Sequence, residues 1–391
     1  MRENMKGYLF VSNSSKPGHI ISEPKTVNVD SFALPAIYAA DKLGYKLYIG
    51  INSNNPKLIT CKQYDVVYYN QNSFRNPFAI KDNIKAYKNL CAFLEKNSNI
   101  EVIHCNTPIG GVIGRLCGCK YHKKVIYTAH GFHFFKGASI VNWLLYYPIE
   151  KWLAHYTDAL ITINKEDYER AKKFKLRKNG KVYYVPGVGV DLSVFNKGED
   201  KSELRKEYNI KDDEIVFVSM GDLVPRKNYA VALNAIAKAG VNNLKYLICG
   251  NGPQMDEMKQ LCVKLGIEKQ VEFLGRRGDV SKIVKASDVF LFTSKQEGLA
   301  RSLMEAMASG LPCVVSAIRG NTDLIDNEKG GFMYDVTDID GFVEGIKRIC
   351  GDSELRQKMG NYNLLKIKNF DINASKAAFY TVFKQELIKG I

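Results

Sequence analysis

Short apolar runs alternate with stretches of helical period along nearly the whole chain. In the first half the strand candidates are Tyr8–Ser12, Leu47–Ile51, Val66–Asn70, Val102–Cys105, Val125–Ala129, Leu160–Ile163 and Val182–Val185. Helical stretches such as Ser31–Leu43, Phe78–Glu95 and Glu166–Lys173 lie between them. The runs are apolar throughout and do not alternate with polar positions. Strands of that kind are covered on both faces, which predicts parallel sheet with helices outside. From Pro186 to Asp200 the sequence PGVGVDLSVFNKGED is turn-rich and without period, and it reads as a linker. The pattern then restarts. Ile215–Met220, Lys245–Cys249, Val271–Leu274, Val289–Phe292, Cys313–Ser316 and Gly331–Tyr334 are the strand candidates. Helices are expected around Tyr229–Lys238, Gln254–Leu265, Val280–Ala286, Ser302–Ala308 and Ile339–Ile349. Two successive doubly wound α/β domains follow, at 1–187 and 188–373, and ligands in such sheets bind beyond the carboxyl ends of the strands.

The length agrees: 391 residues exceed one ordinary core. With 46% apolar and 25% charged residues the composition is globular and excludes a fibrous repeat or long disorder. The formal charge of +15 changes the picture, because it is uneven. Residues 1–190 hold 27 basic and 13 acidic side chains, a net +14; residues 191–391 hold 29 and 28, a net +1. The first half therefore calls for a negative partner: nucleic acid, anionic lipid or a phosphorylated ligand. The start, MRENMKGYLFVSN, reads as a short lead into a buried strand and not as a signal peptide. No segment approaches the roughly 18 uncharged apolar residues that span a bilayer. Nine scattered cysteines, several inside apolar runs, suggest reduced thiols in a cytosolic protein. Cys117 and Cys119 near His122 have the wrong spacing for zinc, so no metal is expected.

Four motifs carry chemistry. In MGDLVPRKN, Gly221 allows a tight turn after a strand, and Arg226 and Lys227 precede a helix, which suits a phosphate cradle. In CGNGP, Gly250 and Gly252 permit close backbone approach, to a ligand or within a plain strand-to-helix turn. EGLARSLMEAMASGLPCVVS is more specific. Glu297 and Glu305 stand eight positions apart, Gly298 frees the backbone, and Ser302 is the candidate helix start. Amides from Gly298, Leu299 and Ala300 to Arg301 can face an anion, with a sugar and a ribose accepted by the carboxylates on either side. In YTAHGFHFFKG, His130 follows a strand and is placed to bond a ligand or shuttle a proton.

Together these elements resemble the retaining glycosyltransferases of family 4, which have the GT-B architecture of two facing Rossmann-like domains with a cleft between them. The carriers are Glu297, Glu305 and Gly310–Pro312, the Gly221–Lys227 stretch, and His130. HCNTPIGGVIGR, IYTAHGFHFFKG, YYPIEKW and VPGVGVDL are most similar to bacterial enzymes that build capsular or exopolysaccharide units on undecaprenyl diphosphate. The resemblance implies that the first domain binds the acceptor, that the terminal helix, 374–391, packs back on it, and that the second domain binds a nucleotide sugar. Lys227 and Arg226 would bind its diphosphate, Glu305 the ribose, and Glu297 the transferred sugar. His130 would approach that sugar across the cleft, and the base would lie near Arg276 in FLGRRG. Two departures stand out: Asp222 occupies a position where many members have arginine, and the loop after the first strand offers only Gly18. The donor is expected to be UDP-linked, an N-acetylhexosamine by resemblance, with no cofactor and no metal.

The acceptor, a lipid-linked saccharide, would place the protein on the cytoplasmic side as a peripheral protein of the inner membrane face. The stretch Ser139–Tyr156 reads either as a core helix or as an interfacial anchor through Trp143, Tyr147 and Trp152. Six cations in Lys172–Lys181 suit an anionic membrane surface. A nucleic-acid-binding protein would leave the carboxylate pair unused and is not expected. A dinucleotide oxidoreductase would need a glycine-rich fingerprint that Gly18 alone does not make. A glycosyltransferase with a soluble acceptor stays open.

Overall fold

The unbroken apolar runs fold as the central parallel strands of two sheets, in a computed structural model that describes residues 5–12, 23–74, 76–195 and 200–388. The chain divides into two units, Met1–Val188 with Asn373–Ile391, and Gly189–Ile372.

The first unit contains β1 (Gly7–Val11), β2 (Lys25–Val27), β3 (Lys46–Ile51), β4 (Ile59–Cys61), β5 (Val66–Asn70), β6 (Ile100–Cys105), β7 (Lys124–Ala129), β8 (Ala159–Thr162) and β9 (Lys181–Tyr184). Seven of them form one sheet in the order β5-β3-β1-β6-β7-β8-β9, and β2 pairs with β4 apart from it. The order reverses between β1 and β6, the topological switch where doubly wound sheets bind ligands. The loop after β1, with Gly18, lies outside the described residues.

The helix Pro108–Lys120 has no counterpart among the helices expected from the sequence. Its segment PIGGVIGRLCGCK is rich in glycine, a poor helix former. Packing explains the choice: a Cβ on Gly114 would stand 2.3 Å from the Cys105 sulfur, and one on Gly118 2.2 Å from Val125. The glycines let the helix lie directly on β6 and β7. The terminal helix Ile372–Leu387 belongs to this unit. Glu386 accepts from Tyr183 at 2.5 Å and pairs with Lys124 at 2.9 Å, and Phe383 packs on Tyr8 and His104.

The second unit contains β10 (Ile215–Met220), β11 (Leu244–Cys249), β12 (Val271–Gly275), β13 (Val289–Phe292), β14 (Cys313–Ser316) and β15 (Gly331–Tyr334). Their order is β12-β11-β10-β13-β14-β15, all parallel, with the switch between β10 and β13. Val216, Val218 and Met220 enter the core on one side of the sheet, Phe217 the core on the other. Burial on both faces is what an unbroken apolar run provides. The stretch expected to be a linker is largely part of this unit. Val190 bonds through its backbone with Phe370 and Ile372, and Phe195 is buried in the core.

Candidate active site

Beyond the carboxyl ends of β10 and β13, at the switch point, three donors converge on one carboxylate oxygen. The Lys227 ammonium is 2.8 Å from Glu297 Oε1, the Arg226 guanidinium 3.2 Å, and the Ser294 hydroxyl donates to it at 2.8 Å. Lys227 is 8% exposed and lies over the Phe292 ring, 4.6 Å from its centroid. Burial pulls its pKa below that of an ordinary lysine, and Glu297 pushes back. Gly221 makes this placement possible, since a Cβ there would meet Lys227 Cε at 2.9 Å. Burying an ion pair contributes little net stability. A preformed cluster of charge at a switch point is better suited to a ligand.

The two other glycines serve the scaffold of the same cluster. A Cβ on Gly250 would lie 1.9 Å from the Gly221 carbonyl oxygen, and one on Gly252 2.3 Å from that of Leu223. The loops after β10 and β11 are thereby pressed together, with Gly221 N–H donating to Cys249 and Leu223 N–H to Asn251. The close backbone approach that the structure shows at these glycines is to a neighbouring loop. Arg276 follows β12 and is exposed.

The helix carrying Glu305 spans Arg301–Ala308, so its first residue is Arg301 and its cap position is Ala300. Ser302 is not the start, and no side chain caps the helix. Apolar burial decides this: Ala300 is in the core, and Leu299 packs against it. The Gly298 carbonyl lies against Gly320, whose Cβ would stand 2.3 Å away. Glu305 is held by Arg301 at 2.9 Å, not by the Lys227 cluster. Burial raises its pKa, with Arg301 opposing.

In the first unit His130 stands just past the end of β7. Its Nε2 is 2.6 Å from Asn106 Oδ1, and Phe32 meets the ring edge-on at a centroid distance of 5.3 Å. Asn106 directly follows β6, so the pair sits beside that unit's switch point. The loop after His130 is fixed by carboxylates: Phe132 N–H donates to Asp167 at 3.0 Å and Lys136 N–H to Glu166 at 2.7 Å.

Ser294 and Arg319 lie outside the motifs read from the sequence, and Asn106 lies in HCNTPIGGVIGR without being singled out there. Arg319 is buried and donates from Nε to the Glu297 carbonyl at 3.0 Å, which secures the backbone of the acid. Each of the three follows a strand within a few positions. The rule that ligands gather beyond strand ends, applied to β6, β13 and β14, contains their signal. Among the described residues no three His, Cys, Asp or Glu side chains group as metal ligands.

Two doubly wound parallel sheets in succession are the architecture of the GT-B fold. Anabaena HepE in complex with UDP and glucose superposes with a TM-score of 0.76 at 18% identity, covering 97% of this chain and 100% of HepE. Sucrose-phosphate synthase from Thermosynechococcus elongatus gives 0.78 at 16% identity, covering 98% and 100%. The description Glycosyltransferase Family 4 matches residues 41–194, and Glycosyl transferases group 1 matches residues 200–365. The Bacillus subtilis protein EpsD, which bears a glycosyltransferase name, is 32% identical over 337 residues, 84% of this chain and 86% of EpsD. The Escherichia coli UDP-Gal:alpha-D-GlcNAc-diphosphoundecaprenol alpha-1,3-galactosyltransferase is 32% identical over 310 residues, 76% of this chain and 78% of that enzyme. The chain belongs to glycosyltransferase family 4.

Proposed function

We propose that the protein transfers a sugar, an N-acetylhexosamine by our reading, from a UDP-sugar to a polyprenyl-diphosphate-linked saccharide in surface-polysaccharide synthesis. The transfer retains anomeric configuration, needs no metal or other cofactor, and takes place at the cytoplasmic face of the membrane. The observation that carries this reading is the convergence of Lys227, Arg226 and Ser294 on Glu297 beyond β10 and β13. The relatives support the choice of ligands: UDP and glucose for HepE, a UDP-galactose donor and a diphosphoundecaprenol acceptor for the Escherichia coli enzyme.

In this reading Glu297 holds the two cations ready while no donor is bound. When the diphosphate arrives, Lys227 and Arg226 turn to its oxygens, and the uncapped amides at the start of the Arg301–Ala308 helix add to the same field. Such donors stabilise the leaving charge with no metal. Glu297 is then free to accept from the sugar hydroxyls, and half-buried Glu305 accepts from the ribose. His130, its ring hydrogen-bonded to Asn106, is the first unit's candidate for bonding a substrate. In a front-face reaction the bond from the anomeric carbon to the phosphate oxygen breaks while the bond to the acceptor oxygen forms. The acceptor's proton passes to the departing phosphate, and no carboxylate is needed as nucleophile, unlike a double displacement.

The test is turnover with purified protein and a panel of UDP-sugars. Lys227→Ala should lower kcat by about 10²–10³, the scale of losing one placed donor to transition-state charge, with the circular dichroism unchanged. Activity should persist in excess EDTA. Full activity in Lys227→Ala overturns the site, and complete loss in EDTA overturns the metal-free reaction.

A further inference from the structure

The helix Ile140–Ala154 has two faces of opposite character. Ser139 starts it, its hydroxyl accepting from Asn142 N–H at 3.3 Å. On the inner face Trp143 and Tyr147 pack on Phe134, at centroid distances of 5.6 and 5.2 Å, and the Arg170 guanidinium covers Trp143 at 4.6 Å. Glu150 pairs with the fully buried Arg115 at 2.8 Å. These ties hold positions 143, 147 and 150 inward. Two of the three aromatic anchors expected for a membrane, Trp143 and Tyr147, are therefore packing residues.

The outer face is apolar and uncovered. Ile140 is 70% exposed, Leu144 71% and Trp152 50%, and Val141, Leu145 and Ile149 are exposed with them. Their spacing keeps them on one side of a helix about 22 Å long at 1.5 Å per residue. Monomeric proteins seldom leave such a contiguous strip to water. Cations border it. Lys136 precedes the helix and Lys151 lies on it, both exposed. Exposed Lys172, Lys173 and Lys175 flank Phe174, which packs on Tyr147 at a centroid distance of 5.8 Å.

We infer that this face docks on an anionic lipid bilayer, the helix lying in the headgroup plane with Ile140, Leu144, Leu145 and Trp152 at the acyl boundary. Charge selects the occupant. A second copy seated on the same face would bring two strongly basic surfaces together, whereas an anionic bilayer offers opposite charge and an apolar interior at once. Among the described residues no helix is long and apolar enough to cross a membrane. The benefit of docking rests on the lipid-linked acceptor proposed above, but the binding itself needs neither donor nor acceptor.

The test uses the full chain and two vesicle types, phosphatidylglycerol mixed with phosphatidylcholine, and phosphatidylcholine alone. Sedimentation should show binding to the anionic vesicles, weakened at least about tenfold by Leu144→Glu with Leu145→Glu, since two inserted leucines are lost to charge. Leu144→Phe with Leu145→Phe should keep it. In a Trp143→Phe background Trp152 is the sole tryptophan, and its emission should shift to the blue on anionic vesicles. Absence of binding by the parent chain, or equal binding by the glutamate variant, overturns docking. Light scattering that shows a parent dimer broken by the glutamate variant assigns the face to a second copy and also overturns it. Sugar transfer to a detergent-dispersed acceptor keeps the two readings apart. Transfer without vesicle binding removes docking alone, and vesicle binding without transfer upholds docking while the proposed activity falls.

Discussion

The two units share one architecture, a parallel sheet whose strand order reverses once, and differ in their balance of charge. In Gly189–Ile372, net charge near zero conceals closely placed ions: Lys227 and Arg226 meet Glu297, and Lys201 and Arg205 meet Asp288 at 2.7 and 3.0 Å. In the first unit the excess lies on the surface, with Lys172, Lys173 and Lys175 exposed beside an uncovered apolar helix face. Net charge therefore says little about where a small anionic ligand binds. It says more about which large surfaces the unit can approach.

If the comparison is right, each unit can be disabled without the other. The largest effect is the roughly 10²–10³ loss of transfer in Lys227→Ala, which should leave vesicle binding intact. The leucine-to-glutamate pair should do the reverse, keeping transfer to a dispersed acceptor. Variants that lose both functions together would break the comparison.

A smaller effect tests the scaffold of the charged cluster. Gly250→Ala forces a Cβ against the Gly221 carbonyl, and denaturant melts should show a loss of about 1–3 kcal/mol or more. Gly278→Ala, where a Cβ meets nothing within 4 Å, should stay within about 0.5 kcal/mol. Equal stability of the two variants would mean that the loops after β10 and β11 are not pressed together.

A gradual effect, read as a slope against pH, concerns a buried group of the first unit. His104, buried between Tyr8 and Thr128, titrates at about 3 against an ordinary 6.5, first because burial penalises the imidazolium and further because His130 is near. Between pH 6.5 and about 3 the unfolded chain binds a proton that the folded chain does not. Stability should thus fall as the pH drops through that window, by at most about 1.4 kcal/mol per pH unit from this group. Guanidinium melts at several pH values should show the slope, flattened in His104→Gln. An equal slope in that variant would remove His104 as its source.

Much of this was legible in the sequence because strands covered on both faces leave an unbroken apolar record. Ile215–Met220, Val289–Phe292 and Cys313–Ser316 fold as read. The helix Pro108–Lys120 was not legible, since its glycines carry meaning only once the sheet they lie against is known. The inward turn of Trp143 and Tyr147 depends on Phe134 and Arg170, which no local pattern ties to them. At the site, Glu297, Arg226 and Lys227 are each visible in a motif, but their convergence on one oxygen is tertiary. Ser294 and Arg319 carry no motif of their own and enter only through their places after β13 and β14.

The central claim is that the second unit holds a UDP-sugar between Lys227 and Glu305. It is tested most directly by thermal shift of the full chain and of Glu305→Ala with UDP. A stabilisation by UDP in the parent is expected, with affinity weakened about 10–100-fold in the variant, as for a lost hydrogen bond to a charged group. Equal stabilisation of both proteins by UDP, or stabilisation of the parent by GDP alone, would contradict the account.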